Sequence, residues 1–116
     1  TTPRTGEIAL AYPSDYGYAA DLNQCKQTLY NYDNSTCTSN NWMKAIITNN
    51  GSNYGWLLTP YSSDSYDVWH VHSSGFVNYH GNAYTAYGAV PVLSLSSELG
   101  IESGDGSSSN PYKLSA

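Results

Sequence analysis

The chain reads as a single small α+β domain, with one or two short helices in the N-terminal half packed on an antiparallel sheet from the C-terminal half. Three observations lead there. Apolar residues recur at helical spacing only before residue 50, whereas runs rich in Val, Trp and Tyr, punctuated by Gly and Pro, dominate after it. Each run is short, as α+β elements in a small domain must be. The length of 116 residues suffices for one core and not two, so residues 1–116 form one domain.

Taken in order, Glu7 to Tyr12 reads as a strand closed by Pro13, and Ser14-Asp15-Tyr16-Gly17 as a turn. Asp21 is placed to cap a helix in which Leu22, Cys25, Leu29 and Tyr32 share a buried stripe. A second helix starts near Ser39, with Trp42, Ile46 and Met43 on one face, and ends at Asn49-Asn50-Gly51-Ser52. Gly55 to Thr59 is a strand ended by Pro60. Tyr66 to His72 and Phe76 to His80 form a hairpin, and Val90 to Leu95 is a further strand with Pro91 at its start, at an edge or at a bulge. Gly104 to Asn110 is a turn, from which Pro111 to Leu114 returns as a short closing strand.

Composition shapes the core. Ile, Leu, Val and Phe number only 19, while Tyr, Ser, Asn and Thr supply 49 residues, 12 of them Tyr. Twelve Tyr and three Trp bury large areas, and a net charge of -5 is too weak to hold a chain open, so the core is expected to be aromatic. Four basic residues against nine acidic ones leave no footprint for nucleic acid, and no apolar run approaches the length of a membrane span.

Cys25 and Cys37 are the only cysteines, and no suitably spaced His or Cys makes a zinc pattern with them; a disulfide between them is expected. Closing so short a loop stabilises a fold by about 3 kcal/mol on the chain-entropy model. The Ser/Asn/Tyr-rich, Lys-poor palette fits an oxidising, extracellular setting. Asn34-Ser35-Thr36 inside the loop is a glycosylation triplet of the kind common by chance. The chain starts at Thr1 with neither an initiator Met nor a signal peptide, which suggests an excerpt or a processed product of a longer precursor.

Longer motifs point the same way. Ile8-Ala9-Leu10-Ala11-Tyr12-Pro13-Ser14-Asp15-Tyr16-Gly17-Tyr18-Ala19, Leu29-Tyr30, Asn40-Asn41-Trp42, Trp56-Leu57-Leu58-Thr59-Pro60, Gly88-Ala89-Val90-Pro91-Val92-Leu93 and Gly104-Asp105-Gly106-Ser107-Ser108-Ser109-Asn110-Pro111-Tyr112 occur in that order. Together they resemble a widespread extracellular module of Gram-positive bacterial surface and prepilin-like proteins. The resemblance covers nearly the whole chain. It implies an exported, non-enzymatic module at the cell surface or on a pilus, in many members following a cleavable prepilin-type helix. One position departs from the pattern: Val90 stands where the family's Gly-x-Arg-Pro strand carries Arg. The hairpin followed by such a strand is also similar to C-type-lectin-like domains used for ligand display.

The hairpin carries the chemistry. A three-residue loop, Ser73-Ser74-Gly75, pairs Val71 with Val77, His70 with Asn78 and Trp69 with Tyr79. That register turns Trp69, Val71, Val77 and Tyr79 inward, so that Trp69→Ala is expected to cost about 3 to 5 kcal/mol. It leaves His70, His72, Asn78 and His80 together on the opposite face, expected to be polar and exposed. The adjoining Tyr79 to Tyr87 stretch has no aliphatic residue and reads as a surface loop.

His70, His72, Asn78, His80, Asn82, Tyr84 and Tyr87 are accordingly the candidate ligand-binding residues, offering stacking area and hydrogen bonds to a glycan or protein. Two other readings stand beside this one: a polar face that packs sister subunits of a pilin-like filament, and a weak metal site built from the three histidines, although no carboxylate accompanies them. Catalysis is not indicated, because there is no nucleophile elbow or phosphate-binding loop. No cofactor is implied. The expected protein is an extracellular module for binding or adhesion.

Overall fold

The computed structural model describes residues 8–32, 35–49, 51–93, 99–107 and 109–115. It is an α+β fold, with helices concentrated in the first half and antiparallel sheets in the second. The elements are β1 (Ile8–Leu10), α1 (Pro13–Tyr18), a 3-10 turn (Leu29–Asn31), α2 (Ser35–Ser39), α3 (Met43–Thr48), β2 (Gly55–Pro60), β3 (Asp67–Val71), β4 (Val77–Asn82), β5 (Pro91–Leu93), β6 (Gly100–Ser103) and β7 (Lys113–Ser115). Glu7, Asn34, Asn50, Ser94, Leu95 and Ser108, on which parts of the sequence reading fell, lie outside the described residues.

The helical half departs from expectation in phase and extent. Pro13 opens α1 instead of merely closing a strand, because the first helical position needs no backbone donor and suits the fixed φ of proline. The Asp15 carboxylate accepts the Tyr12 N–H at 2.8 Å, which turns the expected Ser14 to Gly17 turn into a full helix. The helix expected after Asp21 is only one turn. The Asp21 carbonyl accepts the N–H groups of Gln24 and Cys25, while its side chain takes those of Asn23 and the Gln24 amide. Such local side-chain bonds compete with helix propagation, and Leu22 is left exposed.

The phase of α3 is set by Asn41. Its buried side-chain oxygen accepts the Met43 N–H at 2.9 Å, rotating Met43 and Ile47 inward, so that of the expected face only Met43 is buried while Trp42 and Ile46 lie in solvent. Helix α2, which carries Cys37, was not expected at all. Its cysteine closes the expected disulfide with Cys25, and both partners are buried.

The sheet half follows the expected register next to the hairpin turn. Strands β2, β3 and β4 form a three-stranded antiparallel sheet in that order. Val71 pairs with Val77 and His70 with Asn78, and the Gly75 N–H closes the loop on the His72 carbonyl at 2.7 Å. Val71, Val77, Trp69 and Leu57 are buried in the core with Ile47, Met43 and Tyr16. Pro91 is the first residue of β5, where a missing donor is tolerated. The partner of β5 is β1 from the N-terminal half, so the two halves of the sequence interleave. The tail returns as expected in β7, against β6, a strand the sequence did not announce.

One buried network joins the helices to the hairpin tip. The fully buried Tyr16 donates its hydroxyl to the Gly75 carbonyl at 2.7 Å. Asn41 donates to the Tyr16 carbonyl (2.6 Å) and the Tyr32 hydroxyl (2.9 Å), and Tyr32 donates to the Gly17 carbonyl (3.1 Å). Gly75 has φ of 97°, and a Cβ there would lie 2.7 Å from Lys44 Cδ and 3.1 Å from Thr38 Cβ. Only glycine lets the tip dock this closely.

Burial, and the neighbouring Tyr32 phenol, hold the Tyr16 phenol far above its ordinary value. Below pH about 10 both folded and unfolded chains keep that proton, so the contribution of Tyr16 is complete there. At higher pH the unfolded chain ionises first, and stability falls as pH rises. Tyr16→Phe is expected to lose about 2 kcal/mol at neutral pH, from the stranded Gly75 carbonyl. It should also decline less steeply than the wild type between about pH 10 and 12, read as urea midpoints across pH.

Candidate functional site

A β-bulge decides which side chains share a face. Between the pairs His70↔Asn78 and Val68↔Gly81, Trp69 alone stands opposite both Tyr79 and His80. The extra residue shifts the phase of β4 by one, so that Gly81, not His80, joins the His70 side of the sheet. The expected surface of three histidines is therefore divided. His70 and His72 remain together, and His80 turns to the side of Tyr61, Tyr79 and Asp67.

On the first side the expectation of an exposed polar face is corrected. His70 is only 3% exposed. Trp56 is its register partner on β2, with ring centroids 6.0 Å apart, and Tyr87 covers it at 5.0 Å. Tyr87 also stacks on Tyr54 at 4.8 Å and 13°. His70 Nδ1 is buried without a hydrogen-bond partner among the described residues. A Cβ on Gly81 would lie 2.5 Å from that nitrogen and 2.8 Å from Trp56 Cζ3, so glycine is what admits the imidazole beneath the sheet.

His72 is half-buried at the rim of this cluster. Its ring stacks on Phe76 at 4.2 Å, and its Nε2 lies 3.3 Å from the Tyr54 hydroxyl. Its Nδ1 accepts the Ser74 N–H at 3.2 Å, with the Ser74 and Ser73 hydroxyls at 2.8 and 3.3 Å. The lone pair of that nitrogen is thus committed to the hairpin loop, and His72 acts as a brace for the loop.

The other side of the sheet is an aromatic ledge. Tyr79 sits at its centre, stacked on Tyr61 at 4.5 Å and met by Tyr30 at 5.6 Å and Trp69 at 5.4 Å. Tyr30 comes from the 3-10 turn and is 67% exposed. His80 is 62% exposed at the side chain, with Nδ1 3.2 Å from Asp67 Oδ2. Asp67 faces Asn82 across the strand pair, and the Asp67 carbonyl accepts the Tyr61 N–H at 2.8 Å.

The remaining candidates fall as follows. Asn78 is half-buried and accepts the His80 N–H at 3.0 Å. Asn82 is exposed at the end of β4. Tyr84 is 84% exposed on a turn closed by the bond from the Thr85 N–H to the Asn82 carbonyl. Tyr87 is half-buried in the His70 cluster, not at the edge of the exposed surface. Tyr54, Trp56, Tyr30 and Asp67 were missed as site residues. Extending the hairpin register to β2 would have found Trp56; nothing local to residues 29–31 marks Tyr30 as a neighbour of Trp69.

The division removes the geometric basis for a three-histidine metal site. Among the described residues no three His, Cys, Asp or Glu side chains converge as a metal-ligand set. A separate apolar groove of about 250 Å³ lies beside the disulfide, lined by Gly17, Tyr18, Leu22, Cys25, Leu29 and Tyr32 among others. Among the described residues no helix is long and apolar enough to cross a membrane. Comparison with protein-family models, with curated proteins and with solved structures finds no match.

Burial lowers the His70 pKa, outweighing the opposing pull of the Val68 carbonyl and the Asp67 carboxylate. The neutral imidazole is therefore the folded form: its contribution is complete above about pH 6.5 and is lost as pH falls through the lower folded value. His70→Leu, which removes the charge and the orphaned nitrogen, is expected to reduce the loss of stability between about pH 7 and 5, measured by urea midpoints in matched buffers.

Proposed function

We propose that this chain is a non-enzymatic recognition module of an exported bacterial surface protein, for ligand binding or adhesion, and that it contacts a glycan or protein through the β4 end of the hairpin. The observation that carries this reading is the set His80, Asn82 and Tyr84. All three side chains are exposed on backbone that is fixed by hydrogen bonds, with the His80 imidazole oriented by Asp67. Aromatic and amide groups held out on a firm hairpin gain contact area at little entropic cost. The disulfide fits an oxidising, extracellular location, and the motif order described above supports a cell-surface or pilus context.

A second reading has its own support. Trp42, at the N-cap of α3, and Ile46, one turn on within it, lie exposed, as a pilin-like subunit would need for packing against sister copies. Sedimentation at increasing concentration separates the two. A monomer that binds a ligand supports recognition, and ordered filaments weakened by Trp42→Ala support assembly.

The recognition reading is tested with the double variant His80→Ala/Tyr84→Ala on arrays of glycans and extracellular proteins. Binding shown by the wild type is expected to be lost, with stability changed by less than about 0.5 kcal/mol per site. Undiminished binding by a folded double variant would overturn the assignment of this surface.

A further inference from the structure

We infer that the aromatic ledge of Tyr30, Tyr61, Tyr79 and His80, with Asp67 and Asn82, is a subsite for a neutral pyranose ring of an oligosaccharide. This rests on the reading of the chain as a recognition module and names its ligand class. The ledge is a different surface from the histidine face that the hairpin alternation suggested, because the bulge at Tyr79-His80 turns His80 onto it.

The chemistry of the ledge is mixed in the way a sugar ring requires. A pyranose has faces of weakly positive C–H groups and a rim of hydroxyls. Aromatic faces carry the complementary negative quadrupole. Tyr30 is two-thirds exposed and stands at 73° and 65° to the rings of Trp69 and Tyr79, held from behind while most of its surface stays in solvent. Tyr61 and Tyr79 continue the ledge as a stacked pair, with His80 4.1 Å from Tyr79 and 5.9 Å from Tyr61.

Acceptors and donors border these rings. Asp67, whose side chain is only 14% exposed, engages the exposed His80 through Oδ2 and fixes that imidazole at the border, and the facing, exposed Asn82 supplies an amide that both donates and accepts. Charge selects against the rival ligands. Among the described residues, no ring contact or hydrogen bond of the ledge involves Lys or Arg, and the Asp67 carboxylate at its border opposes a sulfated or phosphorylated glycan. A cationic peptide would have to displace His80 from Asp67. A neutral ring requires neither change.

The test is titration calorimetry of the full chain with chitohexaose, cellohexaose, xylohexaose, maltohexaose and mannohexaose, beside hexalysine as the cationic probe. The expected result is binding of at least one neutral saccharide, weakened about 10-fold or more by Tyr30→Ala or Asp67→Asn and within about threefold of wild type for Tyr30→Phe and Trp42→Ala. Tyr30→Phe keeps the stacking face, so it separates loss of the ledge from loss of fold, and melting curves accompany each variant. Absence of binding by every neutral saccharide at about 5 mM, binding indifferent to Tyr30 and Asp67, or a preference for hexalysine overturns the inference. Hexalysine binding lost on Asp67→Asn, or array binding to a protein lost on His80→Ala/Tyr84→Ala, would leave the recognition reading standing while removing the sugar; silence in both assays removes both.

Discussion

A single hydrogen bond, from the Tyr16 hydroxyl to the Gly75 carbonyl, ties together two parts of the chain that are 59 residues apart in sequence. A buried phenol must find a partner or bear the full desolvation penalty of its hydroxyl, and the partner here is the tip of the hairpin. The tip can reach it because Gly75 has no side chain and adopts positive φ. Once the tip is docked, the direction of β3 and β4 over α1 and α3 is fixed, and with it the burial of Val71, Val77 and Trp69. Asn41 extends the same network by bonding Tyr16 and Tyr32 and by setting the phase of α3. The disulfide holds the irregular segment that supplies Tyr32 and Tyr30.

The scarcity of aliphatic residues has a structural consequence on both sides of the three-stranded sheet. A domain with 19 Ile, Leu, Val and Phe residues must build its interior from rings. One side packs Trp69 against Tyr79 and Tyr61; the other packs His70 against Trp56, Tyr87 and Tyr54. Alternation therefore does not divide the hairpin into an apolar and a polar face. It divides it into two aromatic faces, and the bulge at Tyr79-His80 moves one imidazole from the His70 side to the exposed end of the core-facing side that carries Trp69. His70 is buried with one nitrogen unpaired among the described residues, and the close approach permitted by Gly81 is what makes its burial sterically possible.

The 3-10 turn at Leu29–Asn31 links the groove beside the disulfide to the aromatic ledge. Leu29 lines the groove beside the disulfide, while the next residue, Tyr30, points to the ledge. Eclipsed, short 3-10 geometry allows such a divergence over adjacent residues. A change in how the Cys25–Cys37 loop packs would thus be felt at the exposed ring most open to a ligand.

Much of the sheet half was legible in the sequence because its signals are local. The Ser73-Ser74-Gly75 loop fixed the pairing of Val71 with Val77 and of His70 with Asn78, Pro91 was confined to a strand start, an edge or a bulge and opens β5, and two isolated cysteines implied their own bridge. The α+β class followed from where helical and alternating patterns lie along the chain. What the sequence could not settle depended on contacts between distant residues. The phase of α3 was decided by the side chain of Asn41 and not by the apolar pattern of Trp42, Met43 and Ile46, which suits two faces equally. The side of His80 was decided by a bulge opposite Trp69, and a bulge leaves no mark in a period-two pattern until the partner strand is known. The burial of His70 was decided by Trp56 on β2 and by Tyr87, both remote in sequence, and the exposure of Tyr30 beside Trp69 by a turn that only the folded chain brings to the sheet. Local chemistry determines which strands and turns form; which rings are covered and which face solvent is a property of tertiary packing, because burial is set by the neighbours a side chain meets and not by the residue itself.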